Sequence, residues 1–549
     1  MATLQPTPVR YAPRGMVASI DHLATEAGVG LLRAGGSAVD AAVATSAVLA
    51  VTSQYLCGLG GDLWAVVHPG GGQGKGGSSD GHAGGPVALN AAGRAGAGAS
   101  ADRLRAAGLS AIPTTGDPAA VPVPGCVDGW LALHDRFGRR PLAEVLAPAI
   151  WYAAQGFPAS PGLAAAVPLV LSVDGADDYR VAGGVRPGTV IRRPGVARAL
   201  EAIASGGREA FYQGEFGEGL LSVGRSVGGS GEYTADDLAT VQAEWVDAIS
   251  APAWGHRIWT APPSSQGYLV PASAWIADGL DLPADPDDPL WAHLLIEAAR
   301  QAAYDRLDVL YDGADGASLL DPARLAPRRA AIDPARAAVL GVPADAGDTI
   351  ALCAVDGDRQ GITLIQSNAG GWGSMLVVPG VRVFLHNRGQ GFSLQPGHPA
   401  EYRPGRRPPH TLSPALVTGD GGALRAVVGT MGGDAQPQIL LQLLARLLHT
   451  GQAPGDILAA GRFALGAPSG SDRVGDGFGT WSAGGQVSVR LEGQVPAGWA
   501  PDLAGRGHSV APDAPFLGSY GHAHLIDVAG DVLSGATDPR PLAGAAAGW

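Results

Sequence analysis

Cysteine is scarce in this chain. Three occur in 549 residues, Cys57, Cys126 and Cys353, an odd number set far apart, which excludes a disulfide framework and the paired spacing of a structural zinc site. A reducing, cytoplasmic setting is the expectation. Charge is thin as well: 16 % of residues are Asp, Glu, Lys or Arg, and 37 basic against 50 acidic residues leave a net charge of -13. Recognition of a phosphate backbone needs many Lys and Arg contacts, so no nucleic-acid partner is expected. No run of about 18 uncharged apolar residues is present, and Met1–Pro6 lacks a basic segment leading into an apolar one, so neither a membrane span nor a secretory leader is expected. The apolar stretch from Ala41 to Val51 is too short and too rich in alanine to alter this.

Several familiar motifs are missing too. Around Lys75 a phosphate loop fails twice, with Gly76 where Ser or Thr should follow the lysine and Pro69 where the first glycine belongs. Gly58-Leu59-Gly60 lacks the third glycine of a dinucleotide fingerprint and precedes a strand. No Gly-x-Ser-x-Gly elbow occurs. His522 and His524 alternate on a strand with no third ligand nearby, which favours a structural role. No cofactor and no metal are expected.

What is abundant is glycine and proline, 84 and 43, interspersed with apolar segments in the manner of a loop-rich globular protein. The length calls for two domains or one large layered unit. Ser37 and Asp40, three apart after Gly35-Gly36, predict an N-cap and a small-residue helix to about Val51. A strand over Leu63–Val67 and a surface loop from Gly70 to Gly85 follow. Helical spacing marks Val127–Phe137, Leu142–Gln155 and His293–Leu310. After Thr349 the period changes: two apolar runs flank the turn Asp356–Gly361 as a hairpin, and further strands are predicted at Leu376–Val378, Val381–Leu385 and Ala426–Val428. Pro437 opens a helix to about Leu448. Strands and helices fall in blocks in this half, which favours a layered α+β fold over a doubly wound one.

Two features bear chemistry. Thr349 opens the run Ile350–Val355 directly after Ala344-Asp345-Ala346-Gly347-Asp348. If the bond before it breaks, the freed α-amine, with a reference pKa near 8, can take the proton of its own hydroxyl, so one residue supplies nucleophile and base. Gly432-Gly433 sits where a strand gives way to a helix, and consecutive amides there can hold an oxyanion.

With these landmarks in order, the chain resembles the γ-glutamyltransferase (γ-glutamyltranspeptidase) family of N-terminal nucleophile hydrolases almost end to end. The matching stretches are Gly15–Ala18, Gly35–Ala42, Gly58–Gly61, Pro124–Trp130, Arg139–Leu142, Pro262–Gly267, Gly432-Gly433 and Gly535–Arg540. The resemblance implies a four-layer αββα sandwich, made as a precursor that cleaves itself between Asp348 and Thr349. Residues 1–348 would form the large subunit and 349–549 the small one, interleaved in one unit as a heterodimer, with a dimer of heterodimers as a further expectation. Thr349 would be the nucleophile and Gly432 and Gly433 the oxyanion pair. Ser367 or Asn368 falls where polar groups steady the nucleophile, and Asn387 matches an asparagine of the substrate loop.

The departures concern substrate. The family's carboxylate-binding arginine aligns with Ala92, its amine-binding acid with Gly391, and its paired serines with His410-Thr411. Arg94, two positions along, and Arg388 in the loop Leu385–Gly389 are the candidates to bind a carboxylate, since guanidinium matches it bidentately. These features resemble a divergent branch that includes oxamate amidohydrolases and some cephalosporin acylases. The expected activity is hydrolysis, or acyl transfer, of a small carboxylate-bearing amide. The competing expectations are a γ-glutamyltransferase or glutathione hydrolase with a rebuilt clamp, and an unprocessed, non-enzymatic homologue.

Overall fold

The computed structural model describes residues 7–71, 85–225, 231–339, 348–466 and 487–549. Most of the expected glycine-rich loop, Lys75 and Gly76 included, and the stretch Ala344–Gly347 lie outside the described residues.

Two seven-stranded antiparallel sheets face each other. One runs, neighbour by neighbour, through Arg10–Ala12, Val532–Thr537, Ala523–Ala529, Leu424–Thr430, Ala415–Thr418, His256–Thr260 and Ile249–Ala253. The other runs through Ala545–Gly548, Met16–Ser19, Asp348–Val355, Gly361–Ala369, Asp62–His68, Val87–Ala91 and Glu244–Asp247. Trp64, Val66, Ala351, Cys353, Ile365, Leu416, Val427 and Ile526 fill the space between the sheets. Because side chains alternate along a strand, the opposite faces also need cover. Helices provide it: Ala38–Thr52 and Cys126–Phe137 pack on the second sheet, with Leu142–Gln155 against Ala38–Thr52, and Leu269–Asp278 and Gln436–Leu444 pack on the first, with Pro289–Ala303 against both of them. This is the four-layer αββα sandwich. Both sheets combine strands from before and after position 348.

The helix Ala38–Thr52 begins as its sequence dictates. Ser37 accepts from the Asp40 amide, and Asp40 returns the bond to the Ser37 amide, a capping box. All of its residues are buried, so a helix of small side chains suits its place in the core. Asp40 also accepts from the amides of Arg139 and Arg140, tying two of the sequence landmarks together. The expected helix over His293–Leu310 is a correction: it ends at Ala303, and a separate turn covers Arg306–Val309. That break turns Arg306 inward, where it is buried. The helix from Gln436 likewise ends at Leu444, with a π turn over Ala445–His449.

The closing segment is held by buried ions. Arg540 pairs with Glu492 and Asp538, and Arg462 pairs with Asp538 at 2.7 Å. Burial disfavours charge on Asp538, but the two guanidiniums more than offset this and hold its carboxyl below the usual range.

Candidate active site

Thr349 is fully buried at the start of the strand Asp348–Val355. Opposite it the ladder is irregular: Asp348 pairs with Ala369 but Ile350 with Gln366. The partner strand therefore carries one extra residue, a bulge that sets Ser367 and Asn368 against Thr349 and re-aims both. Ser367 Oγ lies 3.1 Å from Thr349 Oγ1. Asn368 turns away, its Nδ2 donating to the Gln54 carbonyl at 2.8 Å. The bulge is what the sequence could not show, and it separates two residues that spacing alone left equivalent.

Ser367 is a junction. It accepts from the Ala369 amide at 2.8 Å and from Arg388 Nη2 at 3.0 Å. Two donors occupy the lone pairs of a hydroxyl, so Ser367 is suited to donate its own hydrogen to Thr349 Oγ1. Arg388 belongs to a short turn over Arg388–Gly391 and is 3 % exposed. Its Nε donates to Asp62 Oδ2 at 3.1 Å and its Nη1 to Thr411 Oγ1 at 2.9 Å. Three of its five N–H groups are thus committed, and each terminal nitrogen keeps one for a further acceptor.

Asp62 opens the strand Asp62–His68 directly across from Ser367, so strand register delivers its carboxylate to Arg388. Burial disfavours its charge, but His410 and Arg388 more than offset this and hold the carboxyl well below the usual range. Burial, reinforced by the Arg388 cation, pushes His410 down to about 4. His410 is therefore neutral near pH 7. Its Nδ1 accepts from the Leu412 amide at 3.3 Å, so Nε2 carries the proton and donates to Asp62 at 2.7 Å. Arg388 remains the permanent cation of the cluster.

The glycine pair follows a strand of the other sheet. Gly361 faces Leu424 and Val427, while Gly429 lies so close to Ala351 that a Cβ there would sit 3.0 Å from it. The strand Leu424–Thr430 therefore runs toward Thr349 as it nears the turn. Gly432 and Gly433 follow with φ of 137° and 53°, a backbone that glycine adopts at little cost.

A cavity of about 240 Å³ opens beside Arg388, lined also by Arg306, Gln390, Phe392, His398 and Thr411. Asn387 secures its loop, accepting from the Gly370 amide at 2.8 Å and donating to the Thr114 carbonyl at 3.0 Å. Arg94 sits elsewhere. It pairs with Glu244 at 3.4 Å and is not among the residues lining this cavity. The Ala92 carbonyl is taken by Arg407 Nε at 2.9 Å. At Gly391 a Cβ would lie 2.6 Å from the Pro409 carbonyl oxygen, so an acidic side chain does not fit without moving that backbone.

The sequence profile of the gamma-glutamyltranspeptidase family matches residues 24–549. The chain belongs to this family. Among its relatives it is similar to the oxamate amidohydrolase proenzyme of Klebsiella pneumoniae, 33 % identical over 97 % of this chain and 98 % of the relative. It is 32 % identical to the glutathione hydrolase-like YwrD proenzyme of Bacillus subtilis, over 96 % of this chain and 97 % of that one. Its fold matches the crystal structure of cephalosporin acylase from Bacillus halodurans with a TM-score of 0.86 and 32 % identity, covering 100 % of this chain and 98 % of the other.

Three buried residues bonded to these side chains and to the Gly432-Gly433 turn are not evident from sequence alone: Asp62, Gln266 and Arg306. Asp62 directly follows the landmark Gly58–Gly61, and Gln266 lies within Pro262–Gly267. A polar residue embedded in a glycine- or proline-rich landmark was the available signal.

Proposed function

We propose that the chain is a self-processing amidohydrolase that cleaves itself between Asp348 and Thr349 and then acts on a small amide bearing a carboxylate. The observation that carries this is the shared hydroxyl: Ser367 touches both Thr349 Oγ1 and Arg388 Nη2. Nucleophile and guanidinium are therefore no further apart than these two hydrogen bonds laid end to end, which suits a short acyl group with its carboxylate close to the scissile carbonyl. The name of the Klebsiella relative, an oxamate amidohydrolase, points the same way.

In the processed enzyme the Thr349 α-amine takes the hydroxyl proton as Oγ1 attacks the amide carbon. The amides of Gly432 and Gly433 hold the oxyanion that forms, a donor role worth about 3 kcal/mol each. Collapse expels the amine, which leaves with the proton, and water hydrolyses the threonyl ester. Transfer to an acceptor amine is the same chemistry with a different second nucleophile. The two fragments remain together as a heterodimer because each contributes strands to both sheets. A reducing, cytoplasmic compartment suits three buried free cysteines.

The crowding at Gly391 and the methyl side chain of Ala92 count against a γ-glutamyl substrate gripped at both its α-amine and its α-carboxylate. A panel of oxamate, malonamate, succinamate and γ-glutamyl-p-nitroanilide tests the proposal. Turnover of the carboxylate amides with little on the γ-glutamyl compound is expected; the reverse order would overturn the substrate assignment.

A further inference from the structure

Two successive glycines give the proposed oxyanion turn no side chain of its own to fix where its amides point. What grips it comes from the other side of the cleavage point. Gln266 is fully buried, and its Nε2 donates to the Gly433 carbonyl at 3.1 Å and to the Thr411 carbonyl at 2.9 Å. Its Oε1 accepts from Arg306 Nε at 2.9 Å. A guanidinium can only donate, so this bond fixes which way the Gln266 amide faces. Arg306 then reaches Asp434 Oδ1 with Nη2 at 3.1 Å, so the residue after the turn is held by the same side chain. The backbone beneath is fixed too: the Gln266 amide donates to the His410 carbonyl at 2.8 Å.

We propose that Gln266 and Arg306 are positioning residues that aim the Gly432 and Gly433 amides, acting as a strut from the segment before Thr349 onto the segment after it. This rests on the assignment of those amides as oxyanion donors. Neither residue needs to touch the reacting atoms. Gln266 holds the turn through the Gly433 carbonyl, the acceptor side of the same peptide chain whose N–H groups face substrate. Asp434 supplies the second anchor, and Arg306 makes the two anchors one unit. The consequence is that oxyanion geometry in the small fragment is set by two side chains of the large one.

The test uses processed wild type and the variants Gln266→Met, Arg306→Lys and Asp434→Asn. Hydrogen exchange of the peptide covering 430–436 is read alongside kcat and KM for a succinyl p-nitroanilide. Gln266→Met should speed exchange in that peptide and lower kcat roughly 10- to 100-fold while KM stays within about twofold, as expected when a transition-state donor is misaimed. Arg306→Lys, which keeps the charge but cannot bridge both anchors, should shift both readouts in the same direction if Gln266→Met fails to fold. Asp434→Asn takes the charge from the second anchor and should shift both readouts in the same direction as Arg306→Lys. Unchanged exchange in Gln266→Met and Arg306→Lys, or faster exchange with kcat intact, overturns the proposal. Exchange needs no turnover, so an idle wild type would count against the substrate reading while the strut is still decided by protection of 430–436.

Discussion

Replacing Arg388 by methionine keeps a long apolar stem and deletes a guanidinium that is 3 % exposed and bonded to Asp62, Thr411 and Ser367. The stability cost follows from what remains. Asp62 would keep its buried negative charge with neutral His410 and, at 3.5 Å, His386 as its near partners, and removing one member of a buried ion pair costs about 3–5 kcal/mol. For a chain of this length that is a fall in Tm of roughly 3–4 °C, small enough to assay the folded variant at 25 °C. The catalytic cost is read as a ratio. Losing the guanidinium disturbs Ser367 for every substrate, but only a carboxylate substrate also loses a charge-assisted bond, worth about 1.5–3 kcal/mol. The preference in kcat/KM for a succinyl anilide over its uncharged methyl ester should therefore fall about 10- to 100-fold. Asp62→Asn, which also breaks the ion pair but keeps the cation, should lower Tm and largely preserve the preference. An Arg388→Met enzyme that still prefers the carboxylate to the same degree would refute the reasoning.

The acid limb of stability should belong to histidines. His410 and His522 are pushed down to about 4, and His524 to about 3, with burial the first cause in each. A folded pKa below the unfolded value means the unfolded chain binds more protons between the two. Stability is then fully present above about pH 6.5 and declines toward pH 4, by about 1.4 kcal/mol per pH unit for each histidine. Urea melts at pH 7, 6 and 5 check this, and a flat profile contradicts it. Asp62, depressed in the folded state, should add its own loss only as pH falls below about 4. Gly432→Ala places a Cβ 3.0 Å from Ile439 Cδ1 at a φ of 137°, and should cut kcat about 100-fold or more with KM nearly unchanged. Gly61→Ala would put a Cβ 2.3 Å from the Ser367 carbonyl oxygen; lower Tm and lower activity together are expected, and retention of both would show that the strand yields there without moving Ser367.

Local chemistry was legible and distant pairing was not. The capping box of Ser37 and Asp40 spans three residues, and the glycine pair before Pro437 announces its own turn. Both could be read from neighbours alone. Asp62 meets His410 across 348 residues of sequence, and no spacing rule joins them. Arg94 lies near Ala92 in sequence, but the end of a strand does not reveal which way the next side chains point, and Arg94 pairs with Glu244. Arg407, which took the Ala92 carbonyl, came from another part of the chain. The choice between Ser367 and Asn368 waited on the bulge, because a single extra residue reverses which side chain faces Thr349. Likewise the helix expected over His293–Leu310 follows an apolar period that continues past Ala303, while the backbone breaks to bury Arg306 against Gln266 and Asp434.

Everything proposed for this chain depends on Thr349 becoming an N-terminus whose hydroxyl does the chemistry. Intact mass measurement of the freshly purified protein, followed by N-terminal sequencing of the smaller species, addresses it directly. Two chains are expected, the smaller beginning Thr349-Ile350-Ala351, and a Thr349→Ala variant that stays one chain and is inactive. An uncleaved wild type that turns over substrate, or a Thr349→Ala variant that does so, would contradict it.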